Sequence, residues 1–199
     1  EELRGMLRLR QTELEAAQEA AAQRLTQVEA RLRMIEGEGR MSSEDVVIKE
    51  LPAVRVAELT GTAGGFEPKE IAPVIGPLYE RLCRELDGAG LKPIGPGIAY
   101  YEVSATGDSV VVHAGMPVSA PAGEHAAGFT VRDLPGVDSA ATVVHHGSMD
   151  RVMPTLQMLA RWMDANGYRP DGSSRELYLD CGAAPETWVT EIQQPVARA

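Results

Sequence analysis

Positive charge is scarce in this chain. Nineteen Lys and Arg face 29 Asp and Glu over 199 residues, for a net charge of −10 and a pI near 4.9. Such a chain does not bind nucleic acid by itself, because phosphate neutralisation needs a basic face. An acidic field favours cationic small molecules instead. Cysteine is scarcer still. Cys83 and Cys181 lie 98 positions apart without metal-ligand spacing. They read as core thiols of a reducing compartment, which points to the cytoplasm rather than to a disulfide framework. No apolar run approaches the ~18 residues of a membrane-spanning helix, and no basic, apolar leader opens the chain. Phosphate loops, dinucleotide fingerprints and Ser/His/Asp orderings are missing, so no cofactor is expected. His145 and His146 are neighbours on a strand-like run and point to opposite faces, so they do not chelate one metal together. Aromatic residues make up only 5%. Each tyrosine and tryptophan therefore counts.

Residues 1–36 read as one long helix. No Pro or Gly interrupts the span between Met6 and Glu36, and strong helix formers dominate it. Leu7, Leu14, Ala21, Val28 and Ile35 recur every seven residues. Leu25 and Leu32 fill the second seam position in the later half, where Gln11 and Gln18 stand in the earlier half. This spacing predicts a coiled coil, and a seam that one helix cannot bury predicts a homodimer. Residues 37–45, with Gly37 and Gly39, read as a linker. The chain also opens inside a helical pattern, which reads as a fragment.

An internal repeat organises residues 46–199, in copies at 46–118 and 130–196. Leu51-Pro52-Ala53-Val54 recurs as Leu134-Pro135-Gly136-Val137. A helix is expected after each, over residues 70–87 and 150–166. Gly90-Leu91-Lys92-Pro93 then matches Gly167-Tyr168-Arg169-Pro170, a left-handed cap followed by a helix stop. Tyr101 and Tyr178 occupy equivalent places, as do His113 and Glu191. Each copy reads as strand–helix–strand–strand. The fold class expected is α+β: a long N-terminal coiled-coil helix, then a duplicated βαββ domain with an antiparallel sheet and its helices on one face.

Within this frame, Glu191 lies mid-strand in Thr187-Trp188-Val189-Thr190-Glu191-Ile192-Gln193 and shares a side with Val189. On the preceding strand Leu177 and Leu179 suit the helices, while Tyr178 shares the other side with Glu176 and Asp180. If the groove lies on the side of Glu191, its companions are Tyr178, Tyr101 and His113. The candidate ligand-binding set is therefore Glu191, Tyr178, Tyr101, His113 and Val189. A carboxylate among aromatic rings prefers hydrophobic cations, each ring contributing ~0.5–2 kcal/mol. The same pair could also act as base and acid on a bound water.

Residues 46–199 resemble the GyrI-like effector-binding domain, of SHS2-type architecture, at the C-terminus of MerR-family regulators of the BmrR type. The resemblance rests on the duplicated pattern, the two Leu-Pro openings, the Gly-x-x-Pro after each helix and the ending Thr187 to Val196. It implies a drug- or metabolite-sensing regulator domain, with Glu191 matching a central ligand-contacting glutamate and DNA bound only through an N-terminal helix-turn-helix missing here. The turn before the second helix often reads Gly-Pro-Tyr in that family, whereas here it is Gly147-Ser148-Met149. Free-standing relatives imply two other outcomes: a hydrolase of reactive toxins using Glu191 and a tyrosine, or a protein-sequestering module.

Overall fold

The computed structural model describes residues 45–124 and 128–199. Ten strands form one curled antiparallel sheet: β1 (Val47–Leu51), β2 (Val54–Ala63), β3 (Gly97–Val103), β4 (Val110–Pro117), β5 (Gly123–Glu124), β6 (Thr130–Leu134), β7 (Val137–His146), β8 (Tyr168–Pro170), β9 (Arg175–Asp180) and β10 (Val189–Arg198). The described residues include two α-helices, α1 (Pro68–Gly88) and α2 (Met153–Ala165). The expected α+β class with a long coiled-coil helix is therefore corrected: sheet dominates what is described. The heptad run of residues 1–36, and the homodimer inferred from it, lie outside the described residues.

The repeat unit also differs from strand–helix–strand–strand. Two strands precede each helix, and within Leu51-Pro52-Ala53-Val54 the pair Pro52-Ala53 is the two-residue break between β1 and β2. Leu134-Pro135-Gly136-Val137 breaks β6 from β7 in the same way. Proline lacks the N–H that would continue a ladder, so the chain steps sideways there. The step exchanges strands between halves. The sheet runs β1-β7-β10-β9-β3-β4-β2-β6-β5, so the first strand of each copy pairs with the second strand of the other.

The halves meet at β3 and β9, where Ala99 stands opposite Glu176. Ala99 and Glu176 are themselves equivalent residues of the two copies, 77 positions apart, as are Tyr101 and Tyr178. The local two-fold therefore passes through the Ala99/Glu176 pair.

Both helices cover the same face. Leu82 and Leu86 of α1 pack on Ala57 and Leu59 of β2, while Leu159 and Met163 of α2 pack on Val143 and Ile192. Truncating the fully buried Leu82 to alanine would cost ~2–5 kcal/mol. Gly61 permits the close approach of α1, since a Cβ there would meet Val74 Cγ1 at 2.7 Å. Each helix ends at a left-handed glycine, Gly90 (φ 68°) and Gly167 (φ 70°), as the matched Gly-x-x-Pro runs require. The two helices sit over opposite halves and leave the sheet centre, at the pseudo-axis, without a helix on it.

Candidate functional site

A cavity of about 850 Å³ occupies that gap. Helix α1 supplies a wall through Ile71, Ile75, Tyr79 and Cys83, which recur every four residues and so share one helical face. This stretch contains Pro73, Gly76 and Pro77, all exposed, so the backbone groups that the prolines leave unpaired can reach water. Met149, Val152, Met153 and Leu156 form the opposite wall at the start of α2. Gly97, Tyr101, Glu176 and Tyr178 form the floor. Of the chain's two Phe, two Trp and five Tyr, this single cavity is lined by Phe66, Tyr79, Tyr101, Tyr178 and Trp188. More than half of the chain's aromatic rings therefore line one cavity.

Glu176 sits at the centre. The hydroxyls of Tyr101 and Tyr178, equivalent residues of the two copies, each donate to Glu176 Oε2 at 2.8 Å. Among the described residues no group bonds Oε1, and that atom is not sealed from the cavity. Glu176 retains some accessible surface, but what it is accessible to is the cavity. Burial pushes its carboxyl above the ordinary carboxylate range, and the two tyrosine hydroxyls only partly oppose this. Burial beside that carboxyl also drives Tyr178 and Tyr101 well above the ordinary phenol range. Tyr79 packs edge-on against Tyr178, with ring centroids 5.6 Å apart and planes at 73°. Gly97 makes room for it: a Cβ there would meet the Tyr79 ring at 3.1 Å. Besides Glu176, the one other charged residue in the described lining is Asp150, so every charge on the walls is negative.

Of the residues singled out from sequence, Tyr101 and Tyr178 line this cavity together. Glu191, Val189 and His113 do not. Glu191 is 7% exposed on the opposite face of the sheet, where its carboxylate pairs with Lys49. Val189 shares that face. His113 is buried there too, stacked on Tyr100 at 4.2 Å between centroids and 13° between planes. The carboxylate that the two tyrosines share is Glu176, which the strand alternation had already put on the side of Tyr178. Trp188, whose indole N–H donates to Gly182 O at 2.7 Å, and Tyr79 are the other lining residues that sequence reasoning had left aside. The four-residue stripe on α1 was the available signal for Tyr79.

His145 is buried, with its ring nitrogens 2.7 Å from Thr155 Oγ1 and 3.1 Å from Ser148 O, and burial lowers its pKa. Among the described residues no three His, Cys, Asp or Glu side chains cluster as a metal site. No described helix is long and apolar enough to cross a membrane.

Residues 44–197 match the GyrI-like small molecule binding domain, and the chain belongs to that family. No curated protein sequence matches the chain. Solved structures share the fold. The EcmrR C-terminal domain is 23% identical with a TM-score of 0.61, covering 77% of this chain and 98% of that one. EcmrR in its DNA-bound complex is 23% identical with a TM-score of 0.64, covering 97% of this chain and 72% of that one. SAV2435 bound to tetraphenylphosphonium is 15% identical with a TM-score of 0.54, covering 76% of this chain and 93% of that one.

Proposed function

We propose that this chain is the ligand-sensing part of a MerR-type transcription regulator, and that it takes hydrophobic aromatic cations into the cavity around Glu176, Tyr101 and Tyr178. The observation that carries the reading is the buried carboxyl of Glu176. It holds two tyrosine hydroxyls, leaves one oxygen toward the cavity, and has no cation among the described lining residues. A charge in such a place is costly until a counter-ion arrives, so a cation gains more from binding than a neutral analogue of the same shape. The rings of Tyr79, Tyr101, Tyr178 and Trp188 add apolar area and cation–π attraction. The volume is that of an ordinary small-molecule pocket. The aromatic cation bound by SAV2435 has the matching chemistry, and the EcmrR–DNA complex supplies the regulatory context. In a regulator, ligand binding would bias the pose of attached DNA-binding domains through the free-energy difference between two states.

The test is a fluorescence or calorimetric titration with tetraphenylphosphonium and with a neutral analogue, tetraphenylmethane bearing a solubilising glycol. The expected result is micromolar binding of the cation, weaker binding of the neutral compound, and loss of that difference in Glu176→Gln. Equal affinity for both compounds in wild type would refute the reading. A Glu–Tyr pair with a raised carboxyl pKa also suits acid–base chemistry. A hydrolase from Listeria innocua shares the fold at 14% identity and a TM-score of 0.53. Turnover of a strained electrophile that Glu176→Gln abolishes would move the chain to that class.

A further inference from the structure

The opposite face of the sheet carries a second cavity, of about 620 Å³, under the β6–β7 crossover. Unlike the first, it includes arginines, Arg132 and Arg175, in its lining. Arg175 and Glu176 are consecutive on β9, so their side chains leave the strand on opposite faces. Glu176 floors the cavity between the helices, whereas Arg175 lines this one. Arg175 is 8% exposed. One of its five N–H donors is accounted for, by a bond from Nη2 to Pro135 O at 2.7 Å. Among the described residues no carboxylate pairs with it. Burial pulls its guanidinium below its ordinary range. A guanidinium so nearly buried and left without a counter-ion is expensive.

A second guanidinium faces the same space. Arg132 on β6 donates to Glu58 Oε1 at 3.2 Å with Nη1 and reaches the cavity with about half of its side chain exposed. Tyr100, on the β3 strand between them, forms part of the same wall. Gly136, Gly172 and the hydroxyl-bearing Ser139 complete the lining. Glu102, Asp138 and Asp171 stand at the exposed rim and none of them pairs with Arg175. Their charge opposes any anion and opposes polyanions most, so a bound anion must be compact and held by the arginines.

We propose that this cavity is a second ligand site, which binds a small oxyanion, carboxylate or phosphate, through Arg175 and Arg132. It is separate from the site between the helices and does not depend on it. Planar carboxylates and phosphates match the guanidinium fork, and the low-dielectric surroundings of Arg175 strengthen that match.

The experiment uses the full chain in isothermal titration at constant ionic strength. The probes are acetate and inorganic phosphate, with chloride as the reference anion. Saturable binding of one or both probes is expected, weakened at least about 10-fold in Arg175→Gln and in Arg132→Gln. The two probes distinguish a carboxylate site from a phosphate site. A cooperative thermal transition checks each variant's fold. Arg132 is half-exposed, so Arg132→Gln decides the question even if Arg175→Gln does not fold. The proposal is overturned if neither probe binds beyond the chloride reference, or if Arg132→Gln binds as tightly as wild type.

Discussion

Two glutamates on opposite faces of one sheet each hold tyrosine hydroxyls, and they end in opposite electrostatic states. Glu58 is 5% exposed and accepts from Tyr100 and from Arg132, with His113 Nδ1 3.5 Å away. Burial pushes its carboxyl up, but the neighbouring His113 and the hydrogen bonds from Tyr100 and Arg132 outweigh burial and leave it below the ordinary range. Glu176 accepts from Tyr101 and Tyr178 but has no cation, and its carboxyl stays above that range. Each cluster contains a carboxylate and at least one phenol. The difference is the counter-ion. Glu58 has Arg132 beside it, whereas no cationic side chain stands among the described residues lining the cavity of Glu176. In the proposed function, the missing positive charge is the one that a cationic ligand supplies.

The largest effect expected from breaking this contrast is on binding. Glu176→Gln should weaken an aromatic cation about 100-fold, or ~2.7 kcal/mol, because the isosteric amide keeps the shape and removes the charge. Calorimetry on tetraphenylphosphonium would check it. Next in size is the stability of Glu58→Gln. It should be destabilised at neutral pH by ~2 kcal/mol, since Tyr100 and Arg132 lose a charged acceptor. Arg132 reaches water, which keeps the cost below that of breaking a fully buried pair. Denaturant unfolding measures this directly.

Glu176→Gln should move stability the other way in the unliganded protein. Folding raises the pKa of Glu176, so the fold favours the protonated form, and stability is lost as pH rises through the folded pKa. The glutamine variant escapes that loss and should be the more stable protein at neutral pH, with the gain vanishing toward acid. Folding lowers the pKa of Glu58, so its contribution is present above the ordinary carboxyl range and fades as pH falls through the folded value. The pH profiles of ΔΔG for the two variants should therefore have opposite signs at neutral pH and converge in acid. The smallest effect belongs to Tyr101→Phe. It removes one of two donors to Glu176 and should weaken the cation about 3–10-fold, with the pH threshold for binding moved upward.

The duplication could be read from the chain because its landmarks keep their spacing: Gly90 with Gly167, Tyr101 with Tyr178. Those two tyrosines do meet in one cavity. The partner carboxylate could not be chosen the same way. Apolar Leu177 and Leu179 suggested which side of β9 faces the helices, yet Leu177 packs on the other face with Ile98 and Val56, and Leu179 is 47% exposed. The reason is physical. The helices cover the two ends of their face and leave its centre open, so residues at that centre need not be apolar. Alternation therefore grouped Glu176 with Tyr178 correctly but assigned the pair to the wrong side, and Glu191 took the role. The strand exchange was also hidden. A Leu-Pro step looks the same whether it leads into a helix or breaks one strand into two, and only long-range pairing separates the cases.

The contrast between the two glutamates turns on the ionisation of Glu176. Carboxyl carbon NMR should follow the Glu176 resonance, identified by its loss in Glu176→Gln, against pH with and without tetraphenylphosphonium. The prediction is a midpoint above the ordinary glutamate value of about 4.3 in the free protein, falling when the cation is added. A midpoint at or below that value in the free protein, or one that the cation leaves unmoved, would contradict it.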